Sequence, residues 1–254
     1  MDPNVFKDEA KSNLYINSDL RNSFSNLEDS IQHFLKQIDL NNLNVLDAGC
    51  AAGKMANALK ELYPNIHYTG IDPDQKCIEY AKENISWAYF ASKDFFEHGY
   101  ERESFDAVML WNWAYMTVEW KKLFKTAIDL SSKYIFFDLR VRLSGNTVLD
   151  TDCSFQYYHS SGKMIPYIVH NIYELLAFFH LDYLNLKKVS VYGYPFPGKT
   201  SAFLPLPVSE AYVAGFCLEK YSAEERENVI RMGTKKEATE NSFLTIDVNI
   251  PGFR

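Results

Sequence analysis

The segment Asp47-Ala-Gly49-Cys50-Ala-Ala-Gly53 joins an apolar run to a helical one and carries the first residues able to do chemistry. Glycines in such a turn let a ligand approach the backbone closely. The helix start behind them offers unpaired N–H groups and the positive end of a dipole. A phosphate or a carboxylate suits that end, and Asp47 decides between them. A carboxylate at the strand tip repels a pyrophosphate and attracts an ammonium. The spacing also departs from the dinucleotide pattern GxGxxG, because only Gly49 and Gly53 are present. Two more acids follow the same rhythm. Asp72, before Pro73, closes the next apolar run, where a carboxylate accepts hydrogen bonds from both hydroxyls of a ribose. Asp94 follows the run after that, in Ser-Lys-Asp94-Phe95-Phe96. An acid there can accept from an adenine amino group while the phenylalanines cover the ring. Singly, each has a plain structural reading: a strand-end turn for Gly49, a helix cap for Asp72, a loop acid for Asp94. The ordered set is what carries the chemistry.

These residues need strands and helices to hold them at one edge of a sheet. Asn44–Ala48, His67–Asp72, Trp87–Ala91, Phe105–Leu110 and Tyr134–Asp138 read as strands. The fourth and fifth are nearly all apolar, as strands buried on both faces must be. Helices fall at 26–39, Lys54–Tyr63 before Pro64, Asp74 (as cap) to about Asn84, and Thr117–Leu130. This alternation predicts right-handed βαβ units and a parallel sheet, with its ligand at the strand tips. The rhythm breaks over 140–170, polar and aromatic without a clear period. Asn171 with Glu174 reads as a capping box opening another helix. Lys187–Tyr194 and Ala211–Lys220 read as strands joined by a Pro-rich loop. Ser222 with Glu225 caps a short helix, and Leu244–Asn249 alternates like an edge strand.

The 254 residues are 47% hydrophobic and 23% charged, which excludes a disordered or fibrous chain. A net charge of -7 disfavours a phosphate-tracking nucleic-acid binder. No apolar run approaches the ~18 residues of a membrane span, and the polar start lacks a signal-peptide pattern. Cys50, Cys77, Cys153 and Cys217 are scattered without CxxC, so no metal site is expected and cytoplasmic residence is the default.

The sequence resembles the class I S-adenosylmethionine-dependent methyltransferases. "VLDAGCAAG" is similar to their first motif, with Cys50 and Ala51 where the middle glycine is usual. "TGIDPD" and "SKDFF" resemble the second and third motifs, and "FDAVMLWNW" the strand and loop beside the methyl group. The resemblance implies an α/β, Rossmann-like, doubly wound sheet of seven strands, mostly parallel with an antiparallel last strand. It implies S-adenosylmethionine as cofactor and S-adenosylhomocysteine as product. Asp47, Gly49, Cys50, Gly53 and Lys54 would attend the methionine end. Asp72 and Pro73 would meet the ribose, Asp94 and Phe95 the adenine, and Trp111 would wall the pocket. Residues 1–221 would form one methyltransferase domain, with substrate-side insertions at 140–170 and 195–210, and 222–254 a helix and extended tail.

The acceptor side should lie where the parallel rhythm breaks. Arg140, Tyr157, Tyr167, Lys199 and Trp113 are the candidates for binding the acceptor, and His170, His159 and Arg140 for catalysis. This cationic and aromatic set suits a small anionic acceptor held by charge-assisted bonds. "IPYIVHNIYELL" and "VYGYPFPGKTSAF" are similar to small bacterial methyltransferases of capsule and surface-glycan pathways, which implies O-methylation of a phosphoryl, phosphoramidate or sugar-linked metabolite. The alternatives are an N- or C-methyltransferase of a metabolite, and a catalytically degenerate binding module. A nicotinamide oxidoreductase is disfavoured by Asp47. The expected partners are a small molecule, with no nucleic acid and no membrane, in a monomer or homodimer.

Overall fold

A computed structural model describes residues 9–17, 23–158, 163–183, 185–197, 202–227 and 244–253. The chain starts with α1 (Glu9–Asn17) and α2 (Asp29–Leu35), then alternates β1 (Asn44–Ala48), α3 (Lys54–Leu62), β2 (His67–Asp72), α4 (Gln75–Asn84), β3 (Tyr89–Ser92), β4 (Phe105–Leu110), α5 (Trp120–Leu130) and β5 (Ser131–Arg142). Then come β6 (Phe155–Tyr158), β7 (Lys163–Pro166), β8 (Val169–Asn171), α6 (Ile172–Asp182), β9 (Leu186–Pro195), β10 (Ala202–Phe203), β11 (Tyr212–Lys220) and β12 (Thr245–Asn249). Local chemistry sets the boundaries. Asp74 accepts from the Cys77 amide (3.2 Å) and so opens α4. Asn171 does the same for Glu174 (3.0 Å) at α6. Ser222 and Glu225 exchange reciprocal cap bonds of 2.7 and 3.1 Å at the short helix 223–227. Two expected helices start later than their patterns indicate, α2 at Asp29 rather than Asn26 and α5 beyond Thr117. Residues 114–116 form a 3-10 turn, so α5 begins at Trp120 rather than Thr117.

Among the described residues the main sheet has nine strands, ordered β12-β9-β11-β5-β4-β1-β2-β3, with β8 also paired to β5. The path β3-β2-β1-β4-β5-β11-β9 accounts for the seven expected strands. Within it β11 alone runs antiparallel, against both β5 and β9. Two strands are extra. β8 extends the carboxyl end of β5 in parallel. β12, the last in the chain, is parallel to β9 and covers what would be an open edge. The aperiodic stretch beyond β5 holds a separate three-stranded sheet, β10-β6-β7. Its strands are two to four residues long, too short for alternation to register.

Two apolar layers sandwich the main sheet. One is built on Phe124, Phe137, Phe179 and Phe216, the other on Ile31, Leu59, Phe90 and Phe136. Phe137 stacks on Phe216 at 4.8 Å across β5 and β11. At the amino end of β5 a buried ammonium closes the corner. Lys220 Nζ donates to Glu103 Oε1 (3.0 Å), to the Ile128 carbonyl (2.9 Å) and to the Ser131 carbonyl. Arg226 grips the same Glu103 through both oxygens, at 2.8 and 3.2 Å.

Candidate active site

A cavity opens at the carboxyl ends of β1, β2, β3 and β4, where a parallel sheet binds ligands. Because the sheet order here is β4-β1-β2-β3, the cavity has two ends. Asp72, Pro73 and Asp94 lie at the β2–β3 end; Gly49, Trp111, Asn112 and Trp113 lie at the β1–β4 end.

The β2–β3 end is acidic and apolar by turns. Asp72 Oδ2 accepts from the Ala51 amide and Oδ1 from the Asp74 amide, both at 2.9 Å. These bonds fix the carboxylate and tie the β1 turn to the β2 turn. Asp94 Oδ1 accepts from the Phe96 amide at 2.7 Å and thereby opens the turn that places Phe95 and Phe96 on the cavity wall. Phe95 meets the Trp113 ring edge-on at 5.8 Å.

At the β1–β4 end, Gly49 has a φ of 82°, which favours glycine. A Cβ on Gly49 would sit 2.6 Å from Trp113 Nε1. The indole lies across the glycine and donates to the Ala48 carbonyl at 2.6 Å. The close approach that the glycine permits is therefore already used by the protein's own tryptophan. Trp111 is 3% exposed, and its Nε1 has no hydrogen-bond partner among the described residues.

Several expected site residues stand elsewhere. Asp47 is buried and accepts from the Tyr68 hydroxyl on the neighbouring strand; it does not line the cavity. Cys50 turns away from the cavity to pack on Gly70, and burial pushes its thiol well up. Gly53, with a φ of 72°, faces Phe90 and Ala81, not the cavity. Its role is to let α3 begin against the sheet. Lys54 is the first residue of α3 and also lies off the cavity wall. His170 is fully buried beside Trp120, ring centroids 5.3 Å apart, with neither ring nitrogen hydrogen-bonded among the described residues. It packs in the core and does not line the cavity, and burial pushes its pKa down to about 3. Tyr157 stands half-buried on β6, off the cavity. His159 and Lys199 lie outside the described residues.

Arg140 and Tyr167 are brought together, but not as expected. Arg140 is 7% exposed. Its Nη1 donates to Asp138 Oδ2 (2.9 Å), its Nε donates to the Tyr167 hydroxyl (3.0 Å), and its guanidinium lies 4.1 Å over the Tyr115 ring. Glu28, at the start of α2, adds a second negative charge near it. This guanidinium is thus paired with acids of its own chain. Arg142 reaches Glu210 at 3.4 Å.

Other cavity residues carry weak sequence signals. Tyr15 comes from α1, whose sequence has no apolar stripe. That helix is docked by a bond from Ser12 Oγ to Asp74. Lys93, Phe96, Asn112 and Met116 also line the cavity. Their common signal is adjacency to a strand tip.

Residues 45–133 match a family model described as a methyltransferase domain. No curated protein matches the chain by sequence. Among solved structures, magnesium protoporphyrin IX methyltransferase from Synechocystis PCC 6803, with S-adenosylhomocysteine bound, is similar at a TM-score of 0.54 and 11% identity, covering 85% of this chain and 97% of that one. An S-adenosylmethionine-dependent methyltransferase of Methanosarcina mazei is similar at 0.52 and 14%, covering 77% and 99%. The 4+2 cyclase SpnF is similar at 0.54 and 12%, covering 76% and 81%. Likeness at this identity defines the Rossmann-like methyltransferase fold and leaves the reaction to be argued from the site. Residues 45–133 are thus similar to a methyltransferase domain, on a fold shared with S-adenosylmethionine-dependent methyltransferases. The cavity residues fit that cofactor: two carboxylates stand at one end, and a glycine turn with a tryptophan wall at the other. Among the described residues no helix is long and apolar enough to cross a membrane.

Proposed function

We propose that this protein transfers the methyl group of S-adenosylmethionine to an oxygen of a small metabolite. The observation that carries the reading is the two-ended cavity, with Asp72 and Asp94 at β2–β3 and the Trp111–Trp113 wall at β1–β4. Asp72 would accept from the ribose hydroxyls, Asp94 from the adenine amino group, and Phe95 and Pro73 would flank the base. Trp111, Trp113 and Met116 would shield the β1–β4 end from water, which strengthens the electrostatics of transfer. When bound, the cofactor supplies an electrophilic methyl group on a sulfonium. The chain's part is then mainly to align the acceptor and exclude solvent.

The acceptor side is expected at 140–170, the stretch that forms the end of β5 with β6, β7 and β8. Support for a phosphoryl or sugar-linked acceptor of a capsule or surface-glycan pathway comes from the sequence resemblance of 165–176 and 191–203. Arg140 does not add to it, because Asp138 already neutralises that guanidinium. A nitrogen acceptor is the second reading. Asp138 and Glu28 together outnumber Arg140, and an excess of negative charge favours an amine.

The test is transfer from the cofactor carrying a carbon-13 methyl into pooled phosphorylated, sugar-linked and amine metabolites, read by NMR. A new signal in the O-methyl region supports the first reading and one in the N-methyl region the second. Saturable cofactor binding with no label in any pool would favour the binding-module alternative.

A further inference from the structure

Four groups form a continuous chain from the cavity wall to Tyr167, just beyond the β6–β7 hairpin. The Asn112 amide donates to Asp138 Oδ1. Asp138 Oδ2 accepts from Arg140 Nη1 at 2.9 Å. Arg140 Nε donates to the Tyr167 hydroxyl at 3.0 Å. Asp138, Arg140 and Tyr167 are 0%, 7% and 4% exposed, so no bulk water competes for these bonds.

The first link is the informative one. Asn112 has a φ of 64°, a left-handed conformation that costs an L-residue energy and that asparagine tolerates best after glycine. That conformation turns the chain sharply between Trp111 and Trp113, which places both indoles on the cavity wall. A buried carboxylate gripping the Asn112 amide holds the turn. Asp138 and Arg140 are two apart on β5 and share a face, so the strand itself sets their separation. Tyr115 beneath the guanidinium prevents it from swinging away.

We propose that Asp138 and Arg140 are positioning residues for the cofactor's amino-acid end. They lock the Trp111-Asn112-Trp113 turn, and through Tyr167 they couple that turn to the hairpin that borders the acceptor. The proposal rests on reading the cavity as the S-adenosylmethionine site. It assigns the β1–β4 end to the amino-acid portion because both ligand-facing acids, Asp72 and Asp94, are at the β2–β3 end.

The experiment compares two ligands by calorimetry on the full chain. S-adenosylhomocysteine spans both ends; adenosine reaches only the acidic end. In Asp138→Asn only one side-chain oxygen remains, so the Asn112 amide and Arg140 cannot both be held and the lock is broken whichever way the new amide turns. S-adenosylhomocysteine should then bind at least about tenfold more weakly while adenosine affinity stays within about twofold. Parallel weakening of both ligands, or no weakening of the first, would overturn the proposal. Tyr167→Phe keeps the ring and removes only the last link. It should weaken S-adenosylhomocysteine about two- to threefold and adenosine not at all, and it serves if Asp138→Asn does not fold. Equal loss for the two ligands in Tyr167→Phe, or none for either, would likewise count against the coupling. Failure of the wild-type chain to bind either ligand would instead remove the cofactor reading itself.

Discussion

Among the described residues, a buried cation meets a carboxylate at each end of the sheet, Lys220 with Glu103 and Arg140 with Asp138. At the amino end of β5, Lys220 directs its ammonium to Glu103 and to two carbonyls that terminate α5 and begin β5. The second oxygen of Glu103 holds Arg226, another part of the scaffold. At the carboxyl end, Arg140 likewise pairs with Asp138. The second oxygen of Asp138, however, holds the Asn112 amide on the cavity wall. Residue types make the two clusters look alike, although Glu103 and Arg226 are partly exposed where Asp138 and Arg140 are buried. They are separated by what the far oxygen of the acid restrains, scaffold in one case and the ligand-facing turn in the other.

The largest effect should come from breaking the scaffold cluster. Lys220→Met leaves two carbonyls and a carboxylate without their buried donor. It should lower unfolding free energy by about 3 kcal/mol, measured by urea denaturation. The folded fraction should bind S-adenosylhomocysteine as the wild type does; weaker binding would erase the distinction between the clusters. At the cavity end, Gly49→Ala brings a Cβ against Trp113 and keeps a left-handed φ. A cost of about 2 kcal/mol is expected, together with weakened S-adenosylhomocysteine binding. A variant as stable and as tight-binding as the wild type would mean that the tryptophan does not rest on Gly49.

Acid should act on the two ends in different windows. The folded chain keeps His170 neutral, held at about 3, while the unfolded chain takes up a proton below about 6.5. Stability is therefore lost as pH falls from about 6.5 toward 3, at up to about 1.4 kcal/mol per pH unit. His170→Leu should flatten that arm. Glu103 is the opposite case: Arg226 and Lys220 hold it down at about 2, so its contribution is present above about 4.5 and is lost between about 4.5 and 2. Only that lower arm should shrink in Lys220→Met. Denaturant midpoints against pH for the two variants would show whether the windows separate. The smallest effect expected is for Ser12→Ala, about 1 kcal/mol from the bond that docks α1 on Asp74. Proteolysis near residue 17 should then be faster, with the core unaffected.

The sequence is readable where chemistry follows strand tips. Asp72, Asp94 and the Gly49 turn fall where alternating β- and α-periods put them, while the seven-strand path with its antiparallel β11 is what the resemblance implies and not something the rhythm alone carries. Asp47 was expected to face a ligand, but a tyrosine on the next strand takes it inward. That pairing depends on the register of Asp47 opposite Gly70, which no local pattern reveals. Tyr15 enters the cavity from a helix without an apolar stripe. Arg140 was expected to hold an anion because a count of charges does not record which are already paired. Its i, i+2 partner Asp138 on one face of β5 was the available signal. The short strands of the second sheet depend on long-range pairing that local periodicity does not carry, whereas the alternation of Leu244–Asn249 does mark β12 as an edge strand and leaves only its partner β9 open.

The central claim is that the cavity is an S-adenosylmethionine site oriented by Asp72. Calorimetric titration of the wild type and Asp72→Asn with S-adenosylhomocysteine, with NAD as control, tests it most directly. Saturable binding to the wild type, at least about tenfold weaker binding to Asp72→Asn, and none of NAD are expected. Unchanged affinity in Asp72→Asn, or binding of NAD in place of S-adenosylhomocysteine, would contradict it.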